Sequence, residues 1–275
     1  RILALAGEPP HTYGLPITHW TSTELARVAL HQGIVARLSP GPLRQVLKKS
    51  RQPHRCRYGR NAKADPRKDE RIADICAVYH DSVGATASIA FAVDDMTGMQ
   101  ALERLAEDLA MAPSKPVARE FEYARHGTQT LIAAIQVALG RVFAHCGDTR
   151  TAADFRDCIA ALIRTHPGYR TYHIVLDQLN THKSESLVRL TAELCGLDSD
   201  LGVKGESGIL KSRASREAFL AKPDKAVVSH HYTPRHASWM NQIEVWFGIL
   251  ARKVIRRGNF TSQADLRTRI MDFID

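Results

Sequence analysis

Three carboxylates occupy positions suited to metal-dependent chemistry. Asp94 follows the apolar run 88–93, and Asp177 follows the β-branched and aromatic run 171–176. Both runs read as short buried strands. Ligands of α/β sheets bind in the crevice outside the carboxyl ends of the strands, which is where these two side chains would lie. Either Asp taken alone is ordinarily a turn or cap residue. Glu244 is more informative. Around it Met240, Ile243, Phe247 and Leu250 mark one apolar helix face at three- and four-residue steps, and Glu244 projects beside that face. A carboxylate there needs a cationic partner or a metal, because an unpaired buried charge is costly. A salt bridge to a nearby arginine is the bland alternative. Three hard oxygen donors without a cysteine or histidine cluster favour Mg²⁺ or Mn²⁺ over zinc. Two such ions can assist both the attacking and the leaving oxygen in phosphoryl transfer.

Other chemistries are poorly supported. His230, His231 and His236 invite a zinc reading, but adjacent histidines on a strand point to opposite faces. They read instead as surface or DNA-facing residues. There is no Walker loop and no dinucleotide fingerprint. The five cysteines (Cys56, Cys76, Cys146, Cys158, Cys195) are scattered and never spaced Cys-x-x-Cys, which fits free thiols in a reducing compartment. No apolar run approaches membrane-spanning length, and there is no signal-peptide pattern, so the reading is a cytoplasmic protein with no membrane partner.

The elements that must position the carboxylates follow from periodicity and punctuation. After the run 88–93, residues 131–137 and 141–144 flank Leu139-Gly140 as a hairpin, although 130–138 also fits a helical period. Thr151 caps a helix to Arg164, with Asp154 three residues on. The strand 171–176 is followed by a helix over 184–194, ended by Gly196. A strand over 225–231 and one long helix over 238–257, ended by Gly258, complete the order. Such a mixed succession suits a central sheet with flanking helices.

Upstream the chain is different in kind. The 275 residues carry 38 Lys and Arg against 29 Asp and Glu, a formal net charge of +9, and the sequence pI is about 9.5. Residues 1–70 hold +8 of that excess. Between Arg44 and Lys63 stand Arg44, Lys48, Lys49, Arg51, Arg55, Arg57, Arg60 and Lys63, with no acid among them. A field of that kind suits a polyanion. A cap-rich start before Leu25, Val28 and Ala29 predicts one helix. Gly33 breaks it, and Ser39-Pro40 starts a second helix with Leu43, Val46 and Leu47 as its stripe. A helix pair of this form resembles a helix-turn-helix, with Arg44, Lys48 and Lys49 on the groove-facing side. The division read from these signals is a DNA-binding domain of helix-turn-helix or winged-helix type over 1–62, a linker and connecting helix over 63–84, and a mixed α/β domain over 85–275, which the resemblance that follows makes the catalytic domain.

Four blocks carry a family resemblance: Asp94-Asp-Met-Thr-Gly-Met-Gln-Ala-Leu-Glu103, Glu122-Tyr-Ala-Arg-His-Gly-Thr128, Asp177-Gln-Leu-Asn-Thr-His-Lys183 and Tyr232-Thr-Pro-Arg-His-Ala-Ser-Trp-Met-Asn-Gln-Ile-Glu-Val-Trp-Phe247. In this order they resemble bacterial insertion-sequence transposases of the mariner-related DDE type. The resemblance implies an α/β, ribonuclease H-like catalytic domain behind an N-terminal DNA-binding domain. It implies cut-and-paste transposition through a metal triad of Asp94, Asp177 and Glu244, holding two Mg²⁺ or Mn²⁺. Double-stranded DNA, as element ends and as target, is the implied partner. A homodimer or larger assembly would pair two ends, in a bacterial, nucleoid-associated setting. Arg252, Lys253, Arg256 and Arg257, past Glu244 on the same helix, are expected to hold the DNA backbone. Lys204, Lys211, Arg213 and Arg216 lie in a polar insertion that lengthens the gap between Asp177 and Glu244, and they are available for DNA as well.

Two departures bear on activity. Asp95 stands where the family usually has Glu, which makes it a close competitor of Asp94. Gln178 stands where Asn is usual. The chain starts at Arg1 and stops inside an apolar-periodic helix, so a fragment of a longer protein is expected. The competing expectation is a decayed or truncated transposase that only binds DNA.

Overall fold

A computed structural model describes residues 1–49, 65–107, 109, 120–197, 200–222 and 227–275. The chain divides into two compact units, Arg1–Lys63 and Ala64–Asp275.

The first unit holds three helices, α1 (Ile2–Gly7), α2 (Ser22–His31) and α3 (Pro40–Lys49). Thr21 and Glu24 close a reciprocal capping box at the start of α2, which satisfies two otherwise orphaned amides. Leu5, Trp20, Leu25, Val28, Ala29, Leu43 and Leu47 form one core. Val46, expected on the apolar stripe, is exposed; Leu43 and Leu47, four residues apart, fill the buried side without it. Arg44, Lys48 and Lys49 are exposed. Arg51, Arg55, Arg57 and Arg60 lie outside the described residues.

The second unit opens with α4 (Lys68–Asp81) and is built on a five-stranded sheet. Its strands are β1 (Ser88–Arg104), β2 (Tyr123–Gln136), β3 (Val142–Gly147), β4 (Thr171–Leu176) and β5 (Val228–Tyr232), in the order β3-β2-β1-β4-β5. The first three are antiparallel neighbours, while β1, β4 and β5 run parallel. This mixed sheet, flanked by helices, is the ribonuclease H-like fold that the resemblance implies. The hairpin reading of β2 and β3 holds, with Gly140 at φ +70° in the turn, a conformation that favours glycine. β1 is longer than expected. It does not end at Val93 but continues to Arg104 because β2 pairs with it as far as Tyr123. Asp94 therefore sits inside the strand, two residues past the last β1–β4 pair, Ala92 with Val175.

Side-chain alternation along β1 sorts the layers. Ile89, Phe91 and Val93 pack with α5 (Ala152–Thr165), α6 (Glu185–Leu194) and α7 (Arg213–Leu220) on one face. Ala90 and Ala92 face α4 and Met240 on the other. Further along that second face, Met99, Leu131 and Ala133 meet α8 (Ile243–Leu250) and α9 (Gln263–Ile274).

The single long helix expected over 238–257 is broken into three. Ser238–Met240 is a 3₁₀ turn, α8 follows, and Ala251–Ile255 is a π-helical turn. Asn241 lies between the first two pieces with its side chain fully buried, and that commitment ends the helical register there. No helix among the described residues is long and apolar enough to cross a membrane. Cys76, Cys146, Cys158 and Cys195 are free thiols.

Candidate active site

Asp94, from the middle of β1, and Asp177, just past the end of β4, meet beyond the last paired residues of two parallel neighbours. Asp94 is buried, 6% exposed. Its Oδ1 accepts from the Asp95 backbone N–H at 2.8 Å, and its Oδ2 accepts from the Asn241 side-chain amide at 3.2 Å. Both donors are neutral. Burial, and then the charge of Asp177, push the Asp94 carboxyl up to about 7.

The neighbouring carboxylate is held differently. Asp95 Oδ2 accepts from Arg150 Nη1 at 2.7 Å, and its Oδ1 lies 3.6 Å from His182 Nε2. Burial works against the charged form of Asp95, but His182 and Arg150 outweigh it and hold the carboxyl below its usual range. Adjacent strand residues face opposite sides of a sheet, and the two aspartates have acquired opposite kinds of partner.

Asp177 Oδ1 accepts two hydrogen bonds of 2.7 Å, from the Leu179 backbone N–H and from His182 Nδ1. Its Oδ2 has no hydrogen-bond partner among the described residues. Here too burial raises the carboxyl and His182 more than compensates, leaving it low. His182 is fully buried, and despite that burial the carboxylates of Asp177 and Asp95 push its imidazole up to about 9.

Glu244 lies in the first turn of α8 and is exposed, so the expectation of a buried carboxylate needing a partner is corrected. It pairs with no cation among the described residues, and the arginine salt bridge is absent there. The packing that does cover it, with the charges of Asp177 and Asp95, raises its carboxyl. All three predicted carboxylates thus belong to one electrostatic neighbourhood.

The donor set fits a divalent cation. Ligand atoms of Asp94, Asp95 and His182 lie within 4.8 Å of one another. Asn241 Oδ1 is a buried acceptor without a hydrogen-bond partner, beside a carboxylate that its own neighbours disfavour in charged form. A hard cation would relieve both.

The loop between Asp177 and Lys183 is gripped from outside. Gln178 donates from Nε2 to the Thr233 carbonyl at 2.6 Å and accepts from Lys183 Nζ. Lys183 is fully buried, paired with Glu217 at 2.7 Å, and Glu217 also pairs with Arg71 at 2.7 Å. Arg213 donates to the Gln178 carbonyl at 2.6 Å, and Arg216 to the Lys183 carbonyl at 2.7 Å. These two arginines, read from the sequence as free for DNA, are structural donors, and Lys204 stands 3.7 Å from Glu185. The histidines of β5 are not simple surface residues either. His230 is buried, and His231 bridges Asp74 at 2.8 Å and His173 at 3.1 Å.

Arg252, Lys253, Arg256 and Arg257 are exposed and form no ion pair among the described residues. They follow α8 directly, on and just past the π-helical turn. Sequence reasoning missed Arg150, His182 and Asn241. The histidine was findable, because it stands five residues after Asp177 in the block that carries the resemblance.

The family described as DDE superfamily endonuclease matches residues 93–267, from the strand bearing Asp94 to the last helix. The chain belongs to this family. No curated protein matches the sequence. Among solved structures, the DDE endonuclease chain is similar to a Mos1 transposase paired-end complex with left transposon end, at 12% identity and a TM-score of 0.46. That match covers 93% of this chain and 66% of the other, so the sequence spans just under two thirds of that protein's length. A Mos1 strand transfer complex matches with the same figures, 12%, 0.46, 93% and 66%. The catalytic domain of Mos1 mariner transposase matches at 10% identity and a TM-score of 0.45, covering 80% of this DDE chain and 85% of that one.

Proposed function

We propose that this chain is a DNA transposase that cleaves element ends and joins them to target DNA. The observation that carries the reading is the approach of Asp94, just past the last β1–β4 pair, to Asp177, just past the end of β4, with Glu244 near enough that the charges of Asp177 and Asp95 raise its carboxyl, in a DDE endonuclease. Asp94, Asp177 and Glu244 would hold Mg²⁺ or Mn²⁺, two ions in the complete site. When bound, such ions supply Lewis-acid activation and charge neutralisation at a phosphodiester.

The chain's own residues prepare the site for this. Asp94 accepts hydrogen bonds only from neutral donors, which leaves its carboxylate without an ion pair among the described residues and available to a cation. Asp95 is paired with Arg150 and faces His182, which favours Asp94 over it as the metal ligand. Loop 177–183, braced by Arg213, Arg216 and Lys183, keeps Asp177 in place, so catalysis is mostly positioning and charge stabilisation. Arg252, Lys253, Arg256 and Arg257 offer unpaired cations to a phosphate backbone. Exposed Arg44, Lys48 and Lys49 on α3 support a helix-turn-helix reading of residues 1–62, with 63–84 as linker and connecting helix and 85–275 as the catalytic domain. Pairing of two DNA ends calls for a homodimer or larger assembly.

The test is nicking of DNA carrying the element end in Mg²⁺. Asp94→Ala, Asp177→Ala and Glu244→Ala should each reduce nicking to background while DNA affinity persists. Unchanged nicking in all three would end this reading. A purified wild-type chain that binds element ends without cutting them would support the DNA-binding-only alternative.

A further inference from the structure

His182 is a fully buried polar side chain on which the proposed chemistry makes no direct demand. Its ring packs on Phe155, with centroids 4.3 Å apart, and its carbonyl accepts from the Tyr232 hydroxyl at 2.8 Å. The next residue, Lys183, is locked by Glu217, and its carbonyl is held by Arg216. The backbone that carries the imidazole is therefore held, and the ring itself is held by Phe155 and through Nδ1. Nδ1 sits 2.7 Å from Asp177 Oδ1, while Nε2, buried and without a hydrogen-bond partner, looks toward Asp95 Oδ1 at 3.6 Å.

A free aspartate carboxylate can rotate and offer either oxygen, or both, to a cation. Here Oδ1 is committed twice, to Leu179 N–H and to His182 Nδ1, and Oδ2 is uncommitted. Resting on the metal reading above, we propose that His182 is a positioning residue that makes Asp177 a one-oxygen ligand, holding Oδ1 so that only Oδ2 is free to bind a divalent cation. Groups that orient a ligand in this way are worth roughly 10- to 100-fold in metal affinity. Direct ligation by His182 Nε2 is the competing assignment, since it shares a 4.8 Å cluster with Asp94 and Asp95. Positioning is favoured because Nδ1 is already committed to a carboxylate, Nε2 faces a carboxylate held by Arg150, and Mg²⁺ and Mn²⁺ prefer oxygen donors.

The experiment uses the whole chain without DNA and Mn²⁺ as the probe. Free Mn²⁺ is followed by electron paramagnetic resonance in wild type, His182→Leu, His182→Asn and Asp177→Ala. His182→Leu should weaken Mn²⁺ binding about 10- to 100-fold, and His182→Asn, which can return an N–H near the Nδ1 position, should recover most of it. Phe155→Leu, which loosens the same packing while keeping the imidazole, should bind Mn²⁺ like wild type; a loss as large as that of His182→Leu would overturn the proposal in favour of a packing role. Pulsed spectra of wild type labelled with ¹⁵N-histidine should lack the coupling of a directly bonded nitrogen. Wild-type affinity in a folded His182→Leu variant, or a bonded-nitrogen coupling, overturns the proposal. If the leucine variant does not fold, the labelled wild type decides by that coupling. Asp177→Ala separates the two levels. Unchanged Mn²⁺ binding there would mean that the metal reading has failed, whereas its loss beside an unaffected His182→Leu removes only the positioning role.

Discussion

The side-chain amide of Asn241 joins the two halves of the candidate site, donating to Asp94 Oδ2 at 3.2 Å and to the Val93 carbonyl at 2.9 Å. Three residues on, the Glu244 backbone N–H donates to the Asn241 carbonyl at 3.1 Å. One buried residue thus fixes where α8 begins relative to β1, and with it where Glu244 stands relative to Asp94.

Replacing Asn241 with Leu keeps the branched shape, adds bulk at a fully buried position and removes both donated hydrogen bonds. The Val93 carbonyl and the Asp94 carboxylate would then be buried with fewer partners, at a cost of about 2–4 kcal/mol. Urea denaturation should show a lower midpoint with an unchanged slope. A midpoint equal to wild type would mean that the amide is not a structural tie.

Asp94 makes the metal-free protein less stable as pH rises. Its folded-state carboxyl titrates near 7, above the unfolded value, so the folded form binds the proton more tightly. The penalty is absent at pH below about 4, grows between pH 4 and 7, and is constant above. Asp94→Asn should therefore be more stable than wild type at pH 8 by on the order of 4 kcal/mol at most. The difference should close as the pH approaches 4. Adding Mg²⁺ at pH 8 should raise the melting temperature of wild type and not of Asp94→Asn. Thermal melts over that range check both signs, and a pH-independent difference would contradict them.

Glu217 answers for two cations, Lys183 and Arg71, of which Lys183 is fully buried. Glu217→Ala would leave the Lys183 ammonium with only Gln178 and the face of the Tyr232 ring, 4.6 Å away. Breaking a buried pair from one side costs about 3–5 kcal/mol. Glu217→Ala with Lys183→Met should recover part of that loss. A Glu217→Ala variant as stable as wild type would show that the pair does not brace the loop behind Asp177.

The basic stretch after α8 should read phosphates without reading sequence. Each of Arg252, Lys253, Arg256 and Arg257 that contacts the backbone should, when changed to Ala, lower the slope of log affinity against log salt by about 1. The loss should be equal for element-end and unrelated DNA. Affinity titrations at several salt concentrations measure this, and unchanged slopes would make the stretch a solvated surface only.

Much of the scaffold was legible from local pattern. The hairpin of β2 and β3, the cap of α5 at Thr151 with Asp154, β4 and α6 all follow from alternation, turn residues and side-chain capping, which act within a few residues. Asp94 and Asp177 were legible for the same reason, because a carboxylate at the edge of an apolar run is a local signal. The far end of β1 was not, since its length depends on pairing with β2 rather than on its own polar sequence.

The sequence by itself determined where the strands lie but not how far they run, most helices and the residue types able to bind a hard cation. Only the tertiary structure decided how neighbouring carboxylates divide the work. Asp94 and Asp95 are chemically identical side chains one residue apart. One meets Asn241 across 147 residues of chain, and the other meets Arg150 across 55. Partners distant in sequence likewise separate prediction from outcome at Arg213 and Arg216, whose partners lie on the Asp177 loop, and at Asn241, whose burial breaks a helix that periodicity alone would have continued. Local sequence sets periodicity and capping. Burial and the choice of ion partner are set by which distant segments the sheet brings together, and those in turn set which carboxylate stays charged.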